Sequence, residues 1–546
     1  MTEDEAEFDV VVVGSGAAGM TAALTAAHSG LTAVVVEKEN VFGGSTARSG
    51  GGLWLPGNEV LRRAGVADTA ERAQAYLAHV VGPEVPPARQ RALIEHGPAM
   101  LAFVRAHTPL AFSWVPGYAD YYPEAPGGLP GGRTIEPVPL DGRLLGPDLA
   151  TLAPPYVPVP DGVVVTARDY KWLSLGTRHR RALLTGARVF TRAVVNRALG
   201  RRMLGLGQAL AAGLRAGLRD AGVPVRLGTP MTDLVVDGER VTGVRVNGGH
   251  VVRARRGVVL GSGGFEHNEA MRKLHQRAPI GTDWTVGASG NTGDGIEAGR
   301  RLGAALDLMD DAWWGPAIPL PHGPYFCLAE RSLPGSLIVN TAGQRFVNEA
   351  APYVDAVHAM YDTGSIPAWL IADQTYRDRY LFAGRGPRAP LPRRWYASGA
   401  VQRAVTLDEL AVRIGVDGAA LQATVERFND FAAAGRDEDF GRGDSAYDRY
   451  YGDPRNRPNP CLAPLRKPPF HAFRMVPGDL GTKGGLRTDD RARVLRDDGT
   501  RIAGLYAAGN ASASVMGHSY AGAGATIGPA MTFAYLAALD AATPED

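Results

Sequence analysis

The pattern of apolar and polar positions predicts short strands and helices that follow one another along a chain of 546 residues. A valine-rich run over residues 8–13 is typical of a buried strand, and the alanine-rich segment that continues to His28 favours a helix. A second apolar run over residues 31–36 predicts another strand. The order strand, turn, helix and strand is typical of the start of an α/β nucleotide-binding domain.

A glycine-rich turn joins the first predicted strand to the first predicted helix, with the sequence Gly14-Ser15-Gly16-Ala17-Ala18-Gly19. In such a turn the first glycine permits the tight bend, the second leaves room for a diphosphate, and the third lets helix and strand pack closely. The helix N-terminus then faces the phosphates. Glu37 ends the second strand, where its carboxylate can accept hydrogen bonds from ribose hydroxyls. The turn, the helix and the acid together predict a dinucleotide site.

The segment that follows Glu37 favours FAD over a nicotinamide cofactor. Residues 43–52 are too rich in glycine for regular secondary structure, and they offer many backbone N–H groups and hydroxyls to a large cofactor. Two glycine-rich stretches near the C-terminus, residues 504–510 and 517–528, indicate that the chain returns to the same site. No histidine or cysteine occurs in residues 43–52, so we expect a dissociable, non-covalent FAD. The predicted cofactor contacts beyond the first turn are Glu37, Lys38, Gly44, Ser45, Thr46, Ser49, Gly50, Gly51, Gly263, Gly509, Asn510, Thr526 and Ile527.

Changes of pattern further along the chain predict two domains. Residues 116–161 are crowded with proline and glycine and predict an irregular excursion across the surface, after which helical patterning returns from about Leu173. Short strands between residues 223 and 264 predict a hairpin that returns to the nucleotide sheet. From residue 282 the pattern changes to aromatic clusters and helices. We therefore predict a Rossmann-like α/β FAD-binding domain of residues 1–281 and 472–546, interrupted by an inserted α+β substrate domain of residues 282–471.

Composition and charge exclude several classes of function. The chain has 58 basic and 56 acidic residues and a net charge of +2, which gives no reason to expect nucleic acid as a partner. Its two cysteines, Cys327 and Cys461, match neither a disulfide framework nor a zinc spacing, and we predict no metal site. The acidic N-terminal segment lacks the pattern of a signal peptide, and no apolar run reaches about 18 residues. We therefore expect a cytoplasmic protein.

Motifs spread over essentially the whole length resemble the 3-ketosteroid 1-dehydrogenases, within the wider fumarate reductase and succinate dehydrogenase flavoprotein group. They are the segments Gly43-Gly-Ser-Thr-Ala-Arg-Ser-Gly-Gly-Gly52, Trp114-Val-Pro-Gly-Tyr-Ala-Asp-Tyr-Tyr-Pro-Glu124, Asp310-Asp-Ala-Trp-Trp-Gly315, Arg345-Phe-Val-Asn-Glu349 and Gly517-His-Ser-Tyr520. The resemblance implies a flavin enzyme that removes two hydrogens from carbons 1 and 2 of the A ring of a 3-oxosteroid.

The resemblance assigns the chemistry to tyrosines and one glycine. The ketone has to be polarised before the proton on carbon 2 becomes acidic, and the family does this with a tyrosine hydroxyl and a glycine amide that match Tyr520 and Gly524. The proton-abstracting tyrosine matches Tyr353, which stands where fumarate-reducing relatives carry an arginine. A phenol has an ordinary pKa of about 10, so nearby donors or the flavin must favour its anion. We therefore expect activity to rise toward alkaline pH.

A third tyrosine is expected beside the base. Tyr121 fits the family segment best, although Tyr118 and Tyr122 are too close for the sequence to separate them. The family often has prolines where this chain has Ala521 and Ala523, so we expect a less rigid turn around the ketone. The candidate walls of an apolar substrate cleft are Trp313, Trp314, Tyr325, Phe326, Val515 and Met516.

Residues 178–202 contain eight arginines, no acidic residue and several large apolar residues. This composition is compatible with a basic amphipathic helix on a membrane surface, which would give the protein a weak membrane association. We favour the alternative, in which the apolar side packs inward while the arginines are solvated or bind the FAD phosphates.

The sequence leaves other functions open. One is a 3-oxo-5α-steroid 4-dehydrogenase, which would use a related set of tyrosines. Another is a fumarate reductase-like flavoprotein, although the arginines that such an enzyme needs after Asn348 and Glu349 are absent. A third is a non-catalytic protein that binds flavin and steroid. The sequence encodes no second redox centre, so an external electron acceptor, quinone-like or dye-like, is expected, and it gives no indication of an oligomeric state.

Overall fold

The computed structural model describes residues 5–160 and 162–543. The first four residues of the acidic N-terminal segment, Asp161 and the last three residues of the predicted FAD-binding domain lie outside the described residues. The strands are β1 Glu5–Val13, β2 Ala33–Val36, β3 Leu53–Trp54, β4 Phe112–Trp114, β5 Thr134–Pro137, β6 Leu140–Asp141, β7 Met203–Leu204, β8 Val225–Arg226, β9 Met231–Asp237, β10 Arg240–Val246, β11 His250–Leu260, β12 Leu306–Asp307, β13 Ala312–Leu320, β14 Gly323–Phe326, β15 Ser336–Val339, β16 Ala368–Ala372, β17 Val401–Ala404, β18 Phe470–Thr482, β19 Gly485–Leu486, β20 Arg493–Leu495 and β21 Arg501–Ala507.

Helices connect these strands and cover the sheets. The α-helices are α1 Ala17–His28, α2 Gly44–Arg48, α3 Glu59–Arg63, α4 Ala70–Val80, α5 Pro87–His107, α6 Ala167–Leu173, α7 Arg180–Ala198, α8 Leu206–Asp220, α9 Glu269–His275, α10 Asp294–Arg301, α11 Tyr353–Asp362, α12 Gln374–Arg379, α13 Arg393–Ala397, α14 Leu407–Ile414, α15 Gly418–Ala434, α16 Ala446–Tyr450 and α17 Ile527–Ala542. Short 3₁₀ helices span Gly82–Glu84, Gly142–Thr151 and Gly509–Ala511.

The central sheet has the order β20-β21-β10-β11-β1-β2-β8, with β9 paired to β10. Strand β1 lies between two parallel neighbours, with Val10 opposite Ala33 of β2 and opposite Gly257 of β11. Its valines are buried on both faces of the sheet, since Val10 and Val12 belong to one core cluster and Val11 and Val13 to another, which explains why the run is continuously apolar. The predicted hairpin is β9 and β10, which pair antiparallel. The predicted α/β fold class is confirmed.

The C-terminal part of the chain completes this sheet. Strand β21 runs parallel to β11, with Val258 opposite Leu505, and helix α17 packs on α1. The carboxyl ends of β1, β11 and β21 therefore meet at one edge. The turns that follow these strands, at Gly14, Gly261 and Gly509, converge there, as ligand-binding loops do in open parallel sheets.

A second, antiparallel sheet has the order β14-β13-β18-β16-β15, with β17 also paired to β18. Its long central strand β18 begins two residues before the predicted boundary at residue 472 and pairs with strands from the predicted inserted domain. The division of the chain into residues 1–281 plus 472–546 and residues 282–471 stays a prediction.

Two local predictions are wrong. Residues 43–52 are not wholly irregular, because Gly44–Arg48 forms the one-turn helix α2 against α8. The close approach of α2 to α8 needs a glycine at position 207 of α8, because an added Cβ on Gly207 would lie 1.9 Å from the Thr46 carbonyl oxygen. Residues 116–161 contain the buried strand β5, which pairs with β3 and β4. Tertiary pairing has overridden the local glycine and proline signal in both segments.

The expected inward packing of the apolar residues in residues 178–202 is also wrong. Helix α7 buries Ala182, Thr185, Val189 and Asn196, whereas its larger apolar side chains point outward. None of the arginines of this segment lines the cavity described below. Within residues 5–160 and 162–543, no helix combines the length and the apolar character needed to span a bilayer.

Candidate active site

A cavity of about 490 Å³ opens where the central sheet, the second sheet and the C-terminal turns meet. Every residue predicted to bind the cofactor lines this cavity except Gly19. Tyr353, Tyr520 and Gly524 line the same cavity. Residues that are remote in the sequence therefore share one continuous space.

The glycine turn after β1 has the geometry expected for a nucleotide cradle. Gly14 has φ +99°, and an added Cβ would lie 2.4 Å from the Gly261 carbonyl oxygen. Gly19 faces the strand instead of the cavity, since its added Cβ would lie 1.9 Å from the Gly14 carbonyl oxygen. At Gly16 the nearest atom to an added Cβ is Thr46 Oγ1, at 3.6 Å. The turn is thus tight at both ends and open in the middle.

Polar groups surround this turn. The carboxylate of Glu37 accepts hydrogen bonds from the backbone N–H of Ser15 at 2.9 Å and from its hydroxyl at 2.6 Å. Thr46 Oγ1 accepts the N–H of Ala17 at 2.9 Å, at the first residue of α1. Lys38 Nζ donates to Thr292 and pairs with Asp294 at 2.7 Å. Glu37 therefore stands beside the turn, at the place expected for a ribose contact.

The cavity fits a flavin dinucleotide. Gly44 and Gly50 line it, and a Cβ on either would meet no atom within 4 Å, so both present bare backbone to open space. Ser262 also lines the cavity, and its buried hydroxyl has no hydrogen-bond partner among the described residues. Exposed amides and an unpartnered hydroxyl suit a ligand that is rich in phosphate and carbonyl oxygens.

Three tyrosines from distant parts of the chain are in mutual contact. The ring centroids of Tyr121 and Tyr353 are 5.3 Å apart, those of Tyr121 and Tyr520 5.1 Å, and those of Tyr353 and Tyr520 5.5 Å. The Tyr121 hydroxyl donates to the Tyr353 hydroxyl at 2.8 Å. The Tyr520 hydroxyl is 3.0 Å from Thr526 Oγ1. Tyr121 itself is almost fully buried and is not a lining residue.

The tyrosine-bearing loops are fixed to each other by backbone contacts. The Ala521 carbonyl accepts the N–H of Tyr121 at 3.1 Å and the hydroxyl of Tyr76 at 2.6 Å. The Ala523 carbonyl accepts the hydroxyl of Thr134 at 2.8 Å. The turn was expected to be less rigid because it has Ala521 and Ala523 where the family often has prolines. These hydrogen bonds to the Ala521 and Ala523 carbonyls fix it instead.

Gly524 closes the same turn. It has φ +93°, and an added Cβ would lie 2.5 Å from the carbonyl group of Gly52. Only glycine combines this left-handed conformation with such close packing. The contact of Gly524 with Gly52 thereby joins the C-terminal glycine-rich segment to the glycine-rich segment that follows Glu37, beside the tyrosines.

Tyr353 is the first residue of α11, and a buried ionic network positions the segment before it. Glu349 is fully buried, pairs with Arg345 at 2.8 Å and Arg442 at 3.1 Å, and accepts the N–H of Ile338 of β15 at 3.1 Å. Arg345 also pairs with Asp437 at 2.7 Å. These arginines are occupied by buried acids and do not line the cavity.

Burial controls the ionisation of the tyrosines. Burial raises the pKa of Tyr353 well above its ordinary value, and the neighbouring Tyr520 adds to this, while the hydrogen bond from Tyr121 lowers it in part. Burial also raises the pKa of Tyr520, with partial compensation by hydrogen bonds to Thr526, Tyr353 and the Gly524 backbone. The protein alone therefore keeps both phenols neutral, and the Tyr121 hydroxyl is a donor that can stabilise a Tyr353 anion.

The three candidates for the third tyrosine occupy different places. Tyr121 contacts Tyr353, as described above, and Tyr118 lines the cavity with its ring stacked on Tyr450 at 4.4 Å. Tyr122 points elsewhere and donates to Asp355 Oδ1 at 2.8 Å. The hydrogen bond to Tyr353 distinguishes Tyr121 from its neighbours.

The wall prediction is correct in part. Tyr325 and Phe326 line the cavity, and the Phe326 ring lies 5.2 Å from that of Tyr353. The prediction is wrong for the remaining four residues, which are buried and do not line the cavity: Trp313, Trp314, Val515 and Met516. Large apolar side chains fill the core as readily as a pocket, so composition alone could not separate them.

Several lining residues were missed by the sequence analysis. They are Arg48, Glu136, Tyr156, Val165, Tyr170, Asn291 and Tyr451, among others. Arg48 stood inside the glycine-rich segment of residues 43–52 that was already singled out for the cofactor, and that placement was the signal that could have found it. The others come from segments with no motif, and only tertiary packing brings them to the cavity.

Comparisons with known proteins agree with this geometry. The family described as a FAD binding domain matches residues 9–527. The chain is 59% identical to a 3-oxosteroid 1-dehydrogenase of Mycobacterium tuberculosis, over 98% of each chain, and 57% identical to one of Mycolicibacterium smegmatis, over 98% of this chain and 97% of the other. The crystal structure of a 3-ketosteroid Δ1-dehydrogenase from Sterolibacterium denitrificans in complex with 1,4-androstadiene-3,17-dione has 41% identity and a TM-score of 0.93, covering 98% of this chain and 99% of the other. The chain is therefore a FAD-dependent oxidoreductase that belongs to the 3-oxosteroid 1-dehydrogenase family.

Proposed function

We propose that this protein catalyses the 1,2-dehydrogenation of the A ring of 3-oxosteroids, with Tyr353 as the base and Tyr520 and Gly524 as the groups that polarise the ketone. The observation that carries the proposal is the mutual contact of Tyr121, Tyr353 and Tyr520, of which Tyr353 and Tyr520 line the cavity that also contains the glycine turn. The sequence relatives and the steroid complex of a structural relative support the substrate class.

The ketone oxygen at carbon 3 accepts hydrogen bonds from the Tyr520 hydroxyl and the Gly524 N–H. Both donors stand ahead of α17, at a turn fixed by Thr134 and Tyr76, so they are oriented before the substrate arrives. Such preorganised donors stabilise the negative charge that develops on the oxygen as the proton on carbon 2 leaves. They thereby make the proton on carbon 2 more acidic.

Tyr353 accepts the proton from carbon 2 as a phenolate. Tyr121 donates to its oxygen at 2.8 Å and stabilises the anion against the cost of burial. Bound FAD supplies the two-electron oxidant that accepts the hydride from carbon 1. The carbon–carbon double bond forms when the proton and the hydride have left adjacent carbons.

We propose that the cofactor contacts are the predicted residues that line the cavity, with Glu37 on the ribose and the turn 14–18 at the diphosphate. The binding is proposed to be non-covalent, since no histidine or cysteine is found among the described lining residues. We propose an external, quinone-like electron acceptor, because the sequence encodes no second redox centre.

Anaerobic titration of the purified FAD-loaded protein with androst-4-ene-3,17-dione tests the proposal. We expect one equivalent to bleach the flavin absorbance and one equivalent of the 1,4-diene to form. An unchanged flavin spectrum would exclude the dehydrogenase activity. Oxidation at carbons 4 and 5 of a 5α-reduced steroid in preference to carbons 1 and 2 would instead support the 4-dehydrogenase alternative.

A further inference from the structure

A buried ion pair lies behind the turn that carries Tyr520. Lys483 follows β18 and is fully buried, and its Nζ pairs with Asp311 Oδ2 at 2.7 Å. The same Nζ donates to the Ser519 carbonyl at 3.1 Å, directly before Tyr520 in the chain. It also lies 4.9 Å from the centre of the Trp313 ring, which is 4.8 Å from the Tyr520 ring. Lys483 therefore contacts both the backbone before Tyr520 and the aromatic ring that packs on Tyr520.

Asp311 connects this pair to the helix that begins with Tyr353. Its Oδ1 accepts the indole N–H of Trp314 at 2.6 Å and lies 3.0 Å from Nε2 of His358. His358 and Tyr353 both belong to α11. Burial raises the pKa of Asp311, but the Lys483 cation and the contact with His358 outweigh burial and lower it to about 2. The ionised carboxylate thus bridges α11 to the cation that bonds the Tyr520 turn.

The ion pair has no direct access to the reacting groups. Neither Lys483 nor Asp311 lines the cavity, so neither contacts a substrate or a cofactor there. The pair contacts instead the two segments that carry the proposed base and the proposed ketone donor. Hydrogen bonds between charged groups are shorter and stronger than those between neutral groups, so the pair restricts the movement of one segment relative to the other.

We propose that Lys483 is a positioning residue which, together with Asp311, fixes the Tyr520 hydroxyl relative to Tyr353. The inference rests on the proposed function, because the two tyrosines must act on neighbouring atoms of one ring. Tyr353 takes the proton from carbon 2 while Tyr520 donates to the oxygen on carbon 3, so a changed separation misaligns one of them. A misplacement of about 1 Å can slow an enzymatic step by about 10²-fold.

Steady-state kinetics of the FAD-loaded Lys483→Met variant with androst-4-ene-3,17-dione tests the proposal. Methionine keeps an unbranched apolar side chain but cannot donate to the Ser519 carbonyl. We expect kcat to fall by about 10–10²-fold with a smaller change in KM, because the ketone donor is misplaced for the transition state. In the Tyr520→Phe background the same substitution should cost less than about threefold, because residues that act as a unit do not contribute additively.

A second variant separates positioning from stability. Lys483→Met leaves Asp311 buried without its cation, which lowers stability as well. Adding Asp311→Asn removes this unpaired charge and keeps an acceptor for Trp314 and His358. We expect the double variant to recover stability in denaturant unfolding but not kcat, since the Ser519 carbonyl still lacks its donor. Flavin absorbance reports whether each variant holds the cofactor.

Arg272→Met is the matched control, since Arg272 and Asp479 form an equally buried pair at 2.8 Å and neither lines the cavity. It should lower stability and retain most of kcat. The positioning role is overturned if Lys483→Met keeps the wild-type kcat, or loses no more than Arg272→Met. It is equally overturned if the loss is undiminished in the Tyr520→Phe background, or if Asp311→Asn restores kcat together with stability. A wild type that does not oxidise the steroid would reject the proposed function itself, and this role with it.

Discussion

The hydroxyl of Tyr121 donates a 2.8 Å hydrogen bond to the hydroxyl of Tyr353, although 232 positions separate the two residues in the chain. Tyr121 is fixed on its other side, because its backbone N–H donates to the Ala521 carbonyl next to Tyr520. One tyrosine thus connects the proposed base to the turn that carries the proposed ketone donors. Tyr353 and Tyr520 therefore have different proposed roles, and each role can be tested separately.

Replacing Tyr353 by Phe should remove the base while keeping the fold. We expect kcat to fall by about 10²–10⁴-fold, the usual contribution of a general base, with the yellow FAD still bound. Turnover and the flavin spectrum of the purified variant measure both effects. Tyr122→Phe is the matched control, because its hydroxyl bonds Asp355 instead of Tyr353, and it should retain most activity. Unchanged turnover in Tyr353→Phe would remove this residue from the mechanism.

Replacing Tyr520 by Phe should weaken the polarisation of the ketone. We expect kcat to fall about 10²–10³-fold with a smaller change in KM, since the lost hydrogen bond strengthens as charge develops on the oxygen. Steady-state kinetics with one steroid separates the two constants. A raised KM at constant kcat would show that Tyr520 only binds the ketone.

Reduction of the flavin by steroid should accelerate as the pH rises. Burial raises the pKa of Tyr353, so the phenol is mostly neutral near pH 7 and its anionic fraction increases by about tenfold per pH unit below the pKa. Anaerobic stopped-flow reduction between pH 6 and pH 9, roughly the span in which proteins remain folded, measures this slope. Tyr353→Phe should abolish the slope. A rate that is independent of pH in the wild type would contradict the assignment of a phenolate base.

Arg133 should be essential for stability near the site. Its buried guanidinium pairs with Asp68 at 2.8 Å and with Asp120, which also accepts the Trp54 indole N–H at 2.9 Å. Arg133→Leu leaves two buried carboxylates without their cation and should lower the free energy of unfolding by about 3–5 kcal/mol.

The exposed pair of Arg427 and Asp439 supplies the control for this prediction. Arg427→Leu should change stability by less than about 1 kcal/mol, because solvent screens exposed charges. Denaturant unfolding followed by flavin release and circular dichroism measures both variants. If both variants lost the same free energy of unfolding, the buried ion pairs of Arg133 would contribute no more to stability than the exposed pair of Arg427.

The nucleotide-binding turn could be predicted well because its signals are local. Gly14 and Gly19 are required because a side chain at either position would clash with backbone atoms a few residues away or on the adjacent strand. The valine run and the alanines after it favour a strand and a helix through their own propensities. The same local logic failed for Gly44–Arg48 and for Thr134–Pro137, where packing against α8 and pairing with β3 and β4 overcame a composition rich in glycine and proline.

The sequence by itself determined the class of cofactor, the α/β start of the fold and, through family motifs, the identity of the proposed catalytic side chains. Only the tertiary structure decided that Tyr121, and not Tyr122, contacts Tyr353, that Trp314 and Met516 belong to the core, and that the apolar side of α7 faces outward. The physical reason is range. Propensity and turn geometry act between neighbours in the chain, whereas a cavity wall or an exposed face depends on which distant segments pack together, and one sequence pattern is compatible with either outcome.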